Sequence, residues 1–75
     1  MEDYVINVRH IEELQMIKDL PALEEILQRA KVTLVRGGLV ELVRPDSLGN
    51  ENRFDTFSTL EELATYRKNV LKYLL

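Results

Sequence analysis

An α+β fold is the class this sequence predicts, and three observations carry the prediction. Residues 32–44 read VTLVR-GG-LVELVR, two β-rich runs around Gly37-Gly38. Residues 9–30 hold two short stretches with apolar side chains at helical spacing, and residues 58–75 open on a capping signature and continue amphipathically. The expected chain is therefore two short N-terminal helices, a β-hairpin plus a third antiparallel strand, and a long C-terminal helix.

Taken in order, Tyr4-Val5-Ile6-Asn7-Val8 is short, apolar and β-branched. Residues 1–8 are expected to form an edge strand or an extended arm docked on the body. From Arg9 to Lys18, Ile11, Leu14 and Ile17 fall three apart, as on one helix face, with Asn7 as the cap. Pro21 pushes Leu20 away from the helical region and can itself open a second helix. That helix is expected to run to about Ala30, with Leu23, Ile26, Leu27 and Ala30 on its apolar face.

A two-residue hairpin loop needs positive φ, which glycine reaches without a Cβ penalty. With Gly37-Gly38 as that loop, Val35 faces Val40 and Thr33 faces Leu42 on one side of the ribbon. The other side carries Val32, Leu34, Leu39 and Val43, with Arg36 and Glu41 among them. Neither side alternates cleanly with polar residues, so both are expected to need cover. Residues 45–52 are dense in turn formers, and Arg53 to Phe57 reads as the third strand. Ser58…Glu61 and Thr59…Glu62 both fit a capping box. Leu60, Leu63, Ala64, Val70, Leu71 and Leu74 then form a helical stripe flanked by Tyr66 and Tyr73.

Seventy-five residues predict a single domain over 1–75 with a thin stability margin. With no cysteine, disulfides and thiolate metal sites are excluded, and a lone histidine, His10, rules out a multi-histidine site. No cofactor is expected. A chain 45% hydrophobic and 31% charged suits a folded domain. The net charge of −3 advertises neither nucleic acid nor an anionic membrane. No apolar run reaches spanning length and the start lacks a signal-peptide pattern, so a cytoplasmic protein is expected.

No motif marks an enzyme. His10 beside Glu12 and Glu13 has the chemistry for proton transfer, but a first-turn helical histidine is expected to face solvent. The adjacent pairs Glu12-Glu13, Glu24-Glu25 and Glu61-Glu62 point about 100° apart on a helix and do not converge on an ion. Gly37-Gly38 lacks the spacing and the following helix of a phosphate loop.

The apolar excess points instead to protein contacts. The expected function is a small interaction or assembly module, a homodimer or a subunit of a complex, acting through an apolar sheet–helix surface. Leu34, Leu39, Val43, Tyr66, Tyr73 and Leu74 are the candidate interface residues, since tyrosines beside aliphatics are typical of contact surfaces. The alternative is a nucleic-acid-associated regulator using Arg36, Arg44, Arg53 and Lys68. Hairpin, third strand and helix resemble, in shape only, three-stranded DNA readers such as AP2-type domains. Those depend on basic and aromatic side chains gathered on one sheet face. Here the cations are dispersed among Asp46, Glu51 and Asp55, which weakens the phosphate attraction.

Overall fold

Asn7 closes one element and opens the next. In the computed structural model, which describes residues 2–72 and 74, strand β1 (Tyr4–Asn7) runs directly into helix α1 (Val8–Met16). Asn7 stays extended, and its Oδ1 accepts from the Arg9 N–H at 2.9 Å, satisfying a donor that the first helical turn leaves open. Helix α2 (Leu20–Val35) begins likewise, with the Asp19 carboxylate accepting from the Ala22 N–H and Pro21 in the first turn. Strands β2 (Val40–Pro45) and β3 (Glu51–Phe57) follow, and α3 (Leu60–Leu71) completes the chain. Its start is the expected capping box: Thr59 and Glu62 exchange side-chain and backbone hydrogen bonds.

The α+β class holds, but the arrangement within it differs from expectation in three ways. The edge strand expected within residues 1–8 forms as β1, but the sheet is mixed and not all antiparallel, in the order β1-β2-β3. β1 lies parallel to β2, with Tyr4 opposite Val40 and Ile6 opposite Leu42, while β2 and β3 are antiparallel. Parallel neighbours require a crossover connection; α1 and α2 supply it. The second difference concerns Val32, Thr33, Leu34 and Val35, which are helical and not a strand. The hairpin therefore lies further on, between β2 and β3, with its turn in the 46–50 segment. There Asp46 Oδ1 accepts from the N–H groups of Leu48 and Asn50, and those bonds, Asn50 foremost, hold its carboxyl below the usual range.

The third difference is the cover. Tyr4, Ile6, Val40, Leu42 and Phe57 share one sheet face by register, and four of the five are buried in a single cluster with side chains of all three helices. That cluster takes Val8, Ile11 and Leu14 from α1, Leu23, Leu27, Ala30 and Leu34 from α2, and Leu63, Val70 and Leu71 from α3. All the helices thus sit on one side of the sheet. The opposite face carries Val5, Asn7, Glu41, Val43, Arg53 and Thr56, and among the described residues none of these joins the helical cluster. Two layers suffice because the expected ribbon of alternating apolar faces does not exist; half of its residues are helical.

Both N-terminal helices end in the same way. After α2, the Gly38 N–H bonds to the Thr33 carbonyl and the Gly37 N–H to the Leu34 carbonyl, with Gly37 at φ 88°. This is a Schellman stop, in which one residue must be left-handed. After α1, Asp19 bonds back to Leu14 and Lys18 to Gln15, and the left-handed residue is Lys18, at φ 55°. A lysine there carries a Cβ penalty of about 1 kcal/mol that glycine would not. Lys18→Gly is therefore expected to raise the melting temperature by a few degrees, since about 1 kcal/mol is worth about 4–8 °C in a chain of this size. A lower melting temperature would show that the unfolded-state entropy of the new glycine outweighs the relief.

Candidate interaction site along the first strand

Three strands leave two edges, and they are defended unequally. β3 is the longer, with seven residues, and it is bulged: Leu42 faces Asp55 and Val43 faces Arg53, so Phe54 is an extra residue on β3. Glu51, Arg53 and Asp55 add charges along it, all exposed. A bulge and a row of charges are the devices that keep an edge from pairing. β1 has neither within its span. Its own sequence, Tyr-Val-Ile-Asn, is uncharged and its register with β2 is regular.

Backbone alternation shows what that edge offers. The Tyr4 N–H donates to the Leu39 carbonyl at 2.9 Å, which turns the main-chain groups of Tyr4, and with them those of Ile6, toward β2. Val5 therefore points its N–H and its C=O outward, and Asn7 points its N–H the same way. The Val5 side chain is 49% exposed on the sheet face without helices. Beside this edge runs an open groove of about 530 Å³, floored by residues 4–7 and flanked by His10 and Glu13 of α1 and Ile26 of α2. Burial raises the Tyr4 phenol above its ordinary pKa, opposed by the nearby Arg29 and reinforced by Glu25. Those two side chains, an ion pair at 3.1 Å, thus lie on the α2 flank of the same edge.

The start of β1 is held from the other side. Asp3 Oδ1 accepts from the Leu39 N–H at 3.0 Å, and the Glu2 carbonyl lies so near Gly38 that a Cβ there would stand 2.5 Å from it. The edge is consequently fixed in position though short. No protein-family model matches the sequence, no curated protein matches it, and no solved structure matches the fold.

Among the described residues, the five apolar candidates Leu34, Leu39, Val43, Tyr66 and Leu74 do not meet in one exposed patch. Leu34 lies in α2 within the core, and Tyr66 and Leu74 pack against that core. Val43 is buried outside the main cluster, Leu39 leads into β2 and remains 38% exposed, and Tyr73 lies outside the described residues. The four basic candidates are likewise apart. Arg44 is clamped by both Glu12 carboxylate oxygens at 3.0 and 3.2 Å on the helix side, whereas Arg53 pairs with Glu41 at 2.9 Å on the opposite face. Arg36 caps the end of α2, and Lys68 stands in the last turn of α3. Among the described residues, no group of three metal-ligating side chains converges, and no helix is long and apolar enough to cross a membrane. Val5 and Asn7, on the outer edge of β1, carry no sequence signal beyond the β-branched run at 4–8.

Tyr66 shows how firmly one interface candidate is bound into the fold. Its ring centroid is 5.4 Å from that of Phe57, and burial, with help from the Glu12 charge, pushes its pKa up to about 12. The folded chain thus holds this proton more tightly than the unfolded one. The stability it contributes is complete below the unfolded value of 10.0 and is lost as pH rises toward about 12. Thermal melts across that window should decline more steeply for the wild type than for Tyr66→Phe. Equal slopes would show that the phenol is as well solvated folded as unfolded.

Proposed function

We propose that this chain is a small assembly module that works by strand addition, taking an extended protein segment against the outer edge of β1. The carrying observation is the outward Val5 N–H and C=O on an edge with no bulge and no charge in its span. Main-chain hydrogen bonds supply affinity in this mode, while alternate side chains of the added segment find pockets. Here the groove beside His10, Glu13 and Ile26 receives the side chains on the helix side, and Val5 meets those on the other. Nothing in this mode requires catalysis.

Val5→Pro separates the edge from the fold. Proline removes the outward N–H, which is turned away from β2, together with the exposed valine side chain, and prolines are tolerated on edge strands in that orientation. The variant is expected to keep its circular dichroism and to melt within a few degrees of wild type. A phage-displayed library of random peptides, selected on dilute wild-type protein, should yield binders that lose at least tenfold in affinity for Val5→Pro, corresponding to about 1.4 kcal/mol. Binders that hold both proteins equally would place the interaction elsewhere and end the strand-addition reading.

A further inference from the structure

We infer that the added strand is β1 of a second copy of this chain, run antiparallel about a two-fold axis at Val5. The inference rests on strand addition at β1 and names its occupant. Register comes first. In an antiparallel ladder, residues that exchange two hydrogen bonds alternate with residues that exchange none. Val5 presents both of its groups outward, so Val5 against Val5 of the other copy is a doubly bonded pair. Asp3 then falls opposite Asn7, whose N–H is also outward. The strand is self-complementary about its own centre.

Charge selects the same arrangement. Glu2 and Asp3 precede the strand, and Arg9 and His10 follow it, all four exposed. Antiparallel pairing at Val5 brings the acidic lead-in of each copy's β1, Glu2 and Asp3, toward the start of the other copy's α1, where Arg9 stands, at both ends of the joint. Parallel pairing would instead stack Glu2 and Asp3 on their own copies, in a chain that already carries a net charge of −3.

The assembly closes by itself. Joining the β1 edges gives a six-stranded sheet ordered β3-β2-β1-β1-β2-β3, whose outer edges are both the bulged, charged β3 strands. No open, regular edge remains to recruit a third copy, which is the condition for a finite two-fold dimer.

The chain has no cysteine, so one engineered cysteine is an unambiguous reporter. The two residues at position 5 would stand about 5.5 Å apart between Cα atoms, within disulfide range. Val5→Cys is expected to oxidise to a covalent dimer, and wild type to show twice the chain mass by sedimentation as concentration rises. Glu2→Arg and Arg9→Glu should each weaken the dimer about tenfold at low salt, each contact occurring twice. The double variant should restore it. Both side chains are exposed, and a thermal melt of each variant separates any change in α1, where the Arg9 charge also acts on Glu12, from loss of the dimer. A wild type that stays at one chain mass, or charge variants that fail to rescue one another, would overturn the second copy as occupant. Peptide binding that is still lost in Val5→Pro would then leave strand addition standing with a different partner; binding unaffected by Val5→Pro would remove both.

Discussion

Leu23→Ala is expected to cost about 3–4 kcal/mol, from the lost transfer free energy and the cavity left behind. Leu23 is 0% exposed and sits in the helix that packs against α1, α3, β1 and β2. Full burial in a core shared by all three helices and the sheet leaves the site little freedom to collapse after truncation. A chain of 75 residues has a total stability of about 4–11 kcal/mol. The loss therefore takes a large share of the margin and lowers the melting temperature by about 12–30 °C. Met16→Ala is the control. At 81% exposure this apolar residue contributes little to the core and should change stability by no more than about 0.5 kcal/mol. Chemical denaturation of both variants measures the difference, and comparable midpoints would mean that the helical layer is not the source of stability.

Much of this layer was legible in the sequence. Thr59 and Glu62 announced α3, Asn7 announced α1, and Pro21 announced the break before α2. Each of these is a local device whose partner lies within a few residues. The failure at Val32–Val35 was a conflict between two local signals. β-branched residues favour strands, yet Leu23, Leu27, Ala30 and Leu34 continue one apolar stripe at helical spacing, and burial of that stripe outweighs propensity. Gly37-Gly38 could not arbitrate, because a tight hairpin and a Schellman stop both ask for glycine at positive φ.

Sheet order was less accessible still. Whether β1 neighbours β2 or β3 depends on contacts across more than 30 residues, and no local pattern encodes it. The candidate surface inherits that difficulty. Apolarity marked Leu34, Tyr66 and Leu74 as residues needing cover, and the fold itself supplies the cover. The β1 edge becomes visible only when it is known that β1 has one neighbour and β3 is bulged.

Gly38→Ala is the substitution that should strike fold and proposed function together. An added Cβ would stand 2.5 Å from the Glu2 carbonyl oxygen, 2.9 Å from Thr33 Cγ2 and 3.3 Å from the Thr33 carbonyl oxygen. Two of these neighbours are backbone, one in the last turn of α2 and one in the segment leading into β1. A helix end tied by the Gly38 N–H to Thr33 bond yields less readily than the short segment that carries Glu2. The expected movement is therefore of residues 2–4, away from β2. That movement strains the Asp3–Leu39 and Tyr4–Leu39 hydrogen bonds, which place the start of the β1 edge. An overpacked site of this kind costs about 1–3 kcal/mol. Gly37→Asn offers the contrast: asparagine tolerates the left-handed conformation at φ 88°, so the helix stop survives with a smaller loss. Amide hydrogen exchange reads both effects at once. In Gly38→Ala the Tyr4 and Ile6 amides should lose protection while those of β3 keep theirs, and association through Val5 should weaken in step. If β1 remains protected, the clash has been relieved at Thr33, and the fixed position of the edge does not depend on the missing side chain at residue 38.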